Sequence, residues 1–192
     1  FQRFKNNIEA LKLIALSPEK DLHYNELSNL FTGFGNFPYF TMPIDDILSE
    51  KFDSNSTKKY FDEIRQLIKD LNAAGISNNN LKSVFQKIAR SALYAYFTHK
   101  NYVDQITKDL LLQKIDSINE SSNNAPFMIL EPSAGTGVFV KSLVDNIRTL
   151  KDEGLINNDA SFRIYAIEPE TISYRILSSL KNEISEEDNI VY

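Results

Sequence analysis

An apolar run that ends on an acid and turns through two glycines is the stretch of this chain best suited to chemistry: Leu130-Glu131-Pro132-Ser133-Ala134-Gly135-Thr136-Gly137. Glycine permits positive φ and removes the side chain, so backbone N–H groups at the start of a following helix can face a ligand closely. A Gly-x-Gly pair alone is shared by many nucleotide-binding sheets. Val140 stands where a dinucleotide fingerprint needs its third glycine, and Val138 follows Gly137 where a Walker A loop needs lysine, so neither motif is present. A second acid, Glu168, follows the apolar run at 162–167. A carboxylate at such a strand end can accept both hydroxyls of a ribose, and it can equally be a solvated strand-end acid. The glycine loop tips the reading toward ribose.

Other chemistries are excluded by what is missing. The chain has no cysteine, which removes disulfides, thiolate metal sites and cysteine nucleophiles and makes the cytoplasm the default compartment. His23 and His99 have no ligand-spaced partners, so no metal is expected. No apolar run approaches the roughly 18 residues of a membrane span, and the amino end lacks the features of a secretory signal, so no membrane partner is expected. The formal net charge is −5, and no basic patch suited to phosphates is visible. If the protein acts on DNA, the DNA-gripping part is expected elsewhere. A start at Phe1 rather than methionine suggests a piece of something longer.

The elements that must hold these residues follow from periodicity. Tyr60, Ile64, Leu67, Ile68 and Leu71 recur at helical spacing, with Thr57 as N-cap and Gly75 as stop. A second helix is predicted over 81–93 through Val84, Phe85, Ile88 and Ala92. An aromatic, Gly- and Pro-containing loop covers 31–40. One amphipathic helix is predicted over 101–118, with Val103, Ile106, Leu110, Leu111, Ile115 and Ile118 as its apolar positions. The all-apolar run 127–130 then predicts a buried parallel strand. A helix through Phe139, Leu143, Ile147 and Leu150, a strand at 162–167, a helix at 171–180 and the opening of a third strand at 189–192 follow. The expectation is an α/β chain: a helical region at 1–95, then at 96–192 the first part of a doubly wound, Rossmann-like sheet.

The string Ile129-Leu130-Glu131-Pro132-Ser133-Ala134-Gly135-Thr136-Gly137-Val138-Phe139 resembles motif I of the gamma-type N6-adenine DNA methyltransferases. That family includes type I modification subunits, fused restriction-methylases and helicase-methylases of mobile elements. Tyr96-Phe97-Thr98 resembles the family's motif X, with His99 where proline is usual, and Ala166-Ile167-Glu168-Pro169 resembles motif II. The loop Thr32-Gly33-Phe34-Gly35 is more loosely similar to the amino-terminal part of the helicase-methylase branch. The resemblance implies an S-adenosylmethionine-dependent methyltransferase sheet. It also implies roles: Thr98 at the methionine carboxylate, Glu131 near the methionine amino group, Gly135 and Gly137 along the methionyl and ribose path, with Pro132, Ser133 and Ala134 completing the loop. Glu168 would hold the ribose hydroxyls and Pro169 would lie against the adenine. Tyr96 and Phe97 are candidate cofactor contacts for which core packing is an equal reading.

The same family reads its flipped base with an Asn/Asp/Ser-Pro-Pro-aromatic tetrapeptide after the later strands. None lies between Glu168 and Tyr192. Asn36-Phe37-Pro38-Tyr39 is a near match, rejected because one proline is missing, no strand leads into it and it precedes motifs X and I. The catalytic residues are therefore expected beyond Tyr192, with DNA bound by other parts of a parent chain. The expected function is the cofactor-binding part of an adenine-specific DNA methyltransferase of a restriction-modification or mobile-element system, inactive alone. Alternatives are a protein-glutamine or RNA methyltransferase, or a non-catalytic interaction domain on the same fold.

Overall fold

The computed structural model describes residues 1–34, 42–51, 54–92, 98–122, 124–185, 188 and 190–191, with backbone alone for 87–92 and 190–191. It is an α/β chain, mostly helical, with one small parallel sheet. The chain divides into two compact units, Phe1–Phe97 with Glu170–Ile172, and Thr98–Pro169 with Ser173–Tyr192.

The first unit is built from α1 (Gln2–Leu16), α2 (Tyr24–Leu30), α3 (Ile44–Leu48), α4 (Lys58–Ala73) and α5 (Asn78–Ala92). Its core gathers Phe4, Ile8 and Leu11 of α1 with Phe61, Ile64, Leu67, Ile68 and Leu71 of α4, each repeating at the spacing of one helix face. Thr57 occupies the N-cap position of α4, but its hydroxyl bonds Ser54 rather than the helix. Gly75 ends α4 as the sequence predicts: at φ 90° its N–H reaches Asn72 O, while Ile76 N–H reaches Leu71 O. This is the paired closure that a left-handed residue after a helix allows. The start of the aromatic loop is clamped on α1. Buried Asn7 donates to Gly33 O at 2.9 Å and accepts from Thr32 N–H at 2.8 Å, and the Arg3 guanidinium bonds Thr32 Oγ1 and O.

The second unit runs α6 (Lys100–Gln113), α7 (Ile115–Asn119), β1 (Phe127–Glu131), α8 (Val138–Asp152), β2 (Phe162–Ala166), α9 (Thr171–Ser179) and β3 (Ile190–Val191); Thr171 and Ile172 of α9 fall in the first unit. The strands are parallel in the order β1-β2-β3, with Phe127 opposite Phe162 and Glu131 opposite Ala166. Parallel neighbours need a helical crossover, and α8 supplies the one between β1 and β2. Gly154 closes α8 with the same left-handed geometry as Gly75 closes α4.

Two sequence expectations change. The helix predicted over 101–118 is two helices, because Lys114 leaves helical geometry at φ −113°, ψ 14°. Within α6 the buried face is Val103, Thr107 and Leu111, while Ile106 and Leu110 are exposed. The strand predicted as buried, β1, has no fully buried residue: Phe127 and Ile129 are half-buried on one face and Met128 and Leu130 are exposed on the other, while β2 is buried on one face. Phe162 and Ile164 are covered on the face where α8 lies, with Lys151 Nζ 5.8 Å from the Phe162 ring centroid. Met128 and Leu130 alternate to the other face and are 54% and 63% exposed, beside half-exposed Tyr165 and Ile167. Among the described residues nothing covers that second face.

Candidate functional site

The glycine loop leaves β1 and enters α8 in a few tight steps. Gly135 and Gly137 adopt φ 55° and 89°, a region that costs an L-residue roughly 1–2 kcal/mol, so both positions call for glycine. The Gly137 N–H closes a turn on Ala134 O at 2.8 Å. Glu131 Oε1 accepts the Ser133 N–H at 3.0 Å, which folds the acid back over its own loop. Pro132 and Ser133 are exposed at the turn, and Ala134 is buried beneath it.

The end of β2 is tied to this loop. Ile167 N–H bonds Glu131 O at 2.9 Å and Ala134 N–H bonds Ile167 O at 3.0 Å, extending the strand pairing past Ala166. Glu168 is the next residue, so both acids stand at the carboxyl end of adjacent parallel strands. Both carboxylates are partly buried, and Pro169 is exposed.

Gly137 is the N-cap of α8 and offers no side chain, so the first-turn N–H groups receive no side-chain cap, and the first turn carries no acid. An aligned helix start with this composition favours an anionic ligand group. A second helix start stands level with it. Asp104, four residues into α6, bonds Ser142, four residues into α8; one turn further on, Asn146 of α8 donates to Thr107 of α6 at 2.8 Å. Further along, Lys108 of α6 pairs with Glu153 at the end of α8, and Asn119 at the end of α7 donates to Leu155 O and accepts from Asn157 N–H, so α6 and α8 run parallel with their amino ends at the same end. At 1.5 Å per residue each start lies about 6 Å before the first bonded pair. Thr98, exposed, and His99 therefore lie at the same end of this helix pair as the Gly135–Gly137 turn. His99 replaces the expected proline as N-cap of α6, and its Nδ1 accepts the Asn101 N–H at 3.3 Å.

Thr98, Glu131, Pro132, Ser133, Ala134, Gly135, Gly137, Glu168 and Pro169 thus share one end of the second unit. Tyr96 and Phe97 lie outside the described residues, as does the near-match tetrapeptide at 36–39. The sequence reading missed Glu170, whose Oε1 accepts the Ile172 N–H at 2.9 Å at the start of α9. An acid two residues before a helical N–H was the available signal. It also missed the Asp104, Thr107, Ser142 and Asn146 cluster, whose only sequence trace is hydroxyl residues within apolar helix faces. Among the described residues no group of His, Asp and Glu could hold a metal ion, and no helix is long and apolar enough to cross a membrane. In comparisons with protein-family models, curated proteins and solved structures, the chain matches none.

Proposed function

We propose that the second unit is the S-adenosylmethionine-binding part of an adenine-specific DNA methyltransferase, belonging to a restriction-modification or mobile-element system. The observation that carries this reading is the pair of level, parallel helix starts flanking the glycine turn, with two acids at the adjoining strand ends. The donor set suits the cofactor's chemistry. Helix-start N–H groups and the Thr98 hydroxyl match a carboxylate, Glu131 matches an ammonium group, and Glu168 matches a ribose diol. The turn holds two glycines in backbone geometry that excludes side chains, so a ligand can approach the main chain. The strand order β1-β2-β3 leaves β1 at a sheet edge. In doubly wound sheets the next strands join at that edge, and ligands bind at the carboxyl ends beside it.

When bound, the cofactor supplies an electrophilic methyl on its sulfonium. The residues described here bind and orient; they include no group that reads a base. The uncovered apolar face of Met128, Leu130, Tyr165 and Ile167 supports a larger parent sheet, since parallel sheets are covered on both faces. DNA is then held by other parts of that parent, in keeping with the net charge of −5. The 192-residue chain alone is expected to transfer no methyl to DNA. Competition calorimetry tests the ligand class: S-adenosylmethionine and S-adenosylhomocysteine bind competitively, while NAD and ATP do not compete. Preferential NAD or ATP binding would remove the methyltransferase reading, and methyl incorporation into DNA by this chain would overturn the half-enzyme assignment.

A further inference from the structure

The interface of α6 and α8 contains a connected cluster of hydrogen bonds that no cofactor contact explains. Thr107 and Ser142 are each 1% exposed, and their hydroxyls lie 2.7 Å apart. Ser142 Oγ donates to Asp104 Oδ1 at 2.6 Å, and Lys100 Nζ donates to Asp104 Oδ2 at 2.6 Å. Asn146 Nδ2 donates to Thr107 Oγ1 at 2.8 Å and to Asp104 O at 3.0 Å. A serine has one hydroxyl proton, and an ionised carboxylate can only accept. Ser142 therefore gives its proton to Asp104 and can only accept from Thr107, whose one proton also has Val103 O at 2.9 Å and Asp104 O at 3.2 Å within reach, while Thr107 Oγ1 accepts from Asn146. Asn146, Thr107, Ser142 and Asp104 thus form one connected polar cluster that ends on a negative charge. Burial alone would raise the Asp104 carboxyl, but the Lys100 and Ser142 hydrogen bonds outweigh it and hold it below the usual carboxylate range.

An apolar helix interface can slide with little penalty, since ridges re-seat in neighbouring grooves. A buried polar cluster resists this: a one-residue shift takes the Ser142 hydroxyl, 1% exposed, away from both Asp104 and Thr107 and leaves it without water. The register that this cluster fixes is the one that sets Thr98 level with the glycine turn. We infer that Asp104, Thr107, Ser142 and Asn146 are positioning residues that lock α6 against α8 and so fix the distance between the two helix starts of the cofactor site.

The consequence for affinity rests on the proposed cofactor reading; the register lock itself does not. The absence of cysteine allows clean spin-labelling of the full chain through paired cysteines at exposed Gln105 and Thr149. Thr107→Val removes the hydroxyl and keeps the shape, whereas Thr107→Ser keeps the hydroxyl. The expected result is a shifted or broadened 105–149 distance distribution in Thr107→Val, restored in Thr107→Ser. Titration with S-adenosylmethionine should follow the same pattern, weakening about fivefold in Thr107→Val and recovering in Thr107→Ser. An unchanged distance distribution in a folded Thr107→Val protein overturns the lock. A shifted distribution with unchanged affinity overturns only its role in the site. If the parent chain binds no cofactor, the functional reading fails while the distance measurement still decides the lock. Ser142→Ala gives the same decision if Thr107→Val does not fold.

Discussion

Replacing Asp188 by asparagine isolates one anchor of the small sheet. Asp188 lies just before β3, and its carboxylate takes the Arg148 guanidinium through Nε at 2.7 Å and Nη2 at 2.6 Å. It also accepts the Ser185 N–H at 2.7 Å and the Ser185 hydroxyl at 3.2 Å, while Lys151 donates to the Asp188 backbone carbonyl at 3.0 Å. Two side chains from the end of α8 thus hold the approach to the third strand. The Arg148 hydrogen bonds, against some desolvation, hold the Asp188 carboxyl below its ordinary range. Asparagine keeps the shape, removes the charge and turns a donor toward the guanidinium. Charge-assisted bonds contribute about 1.5–3 kcal/mol, and the partial exposure of Arg148 argues for the lower half, so the expected loss is about 2 kcal/mol at neutral pH. For a protein of this length that is a fall of about 4–8 °C in the melting temperature. The pH dependence fixes the cause. A carboxylate whose folded pKa is depressed gives its full stabilisation above the unfolded value of about 3.9, and loses it as pH falls through the folded value. Calorimetry from pH 7 downward should therefore show the gap between wild type and Asp188→Asn closing in acid. Equal melting temperatures at pH 7, or a gap that persists undiminished at about pH 2.5, would refute the reasoning.

Other perturbations test separate parts of the account. Gly154→Ala and Gly75→Ala should each cost about 1–2 kcal/mol in thermal melts, because both sit at positive φ while a Cβ at either would meet no atom within 4 Å; losses near zero would contradict the backbone assignment. Asn7→Ala strands the Thr32 N–H and leaves the Gly33 carbonyl to Arg3 Nη2 at 3.2 Å, so a loss of about 1–2 kcal/mol and faster amide exchange at Thr32 are expected. Met128→Lys should leave the melting temperature within about 1 °C, since the side chain is more than half exposed. A large destabilisation there would mean that the face is covered in solution.

What the sequence revealed depended on local signals. Gly75 and Gly135-x-Gly137 declare their own backbone geometry, and the runs at 127–130 and 162–167 are too apolar and too short for anything but strands in this setting. The face that α6 buries was not legible. Ile106 and Leu110 are more apolar than Thr107, yet Thr107 is inside because Ser142, Asn146 and Asp104 give its hydroxyl a partner. Such a pairing joins residues that are 35 and 39 apart, beyond any periodicity argument. The open face of Met128 and Leu130 was hidden for a similar reason. An apolar run reads as buried on both sides whether or not a second layer is present. His99 was visible as a departure from the resembled motif, but its capping bond to Asn101 could be seen only in three dimensions.

The central claim is that one end of the second unit binds S-adenosylmethionine, and backbone amide NMR of the full chain with millimolar S-adenosylmethionine tests it most directly. Fast-exchange shifts are expected to gather at Thr98–Lys100, Gly135–Val138 and Glu168, to be reproduced by S-adenosylhomocysteine and to be lost in Gly135→Val. Shifts that are absent from those amides, or that centre on the first unit, would contradict it.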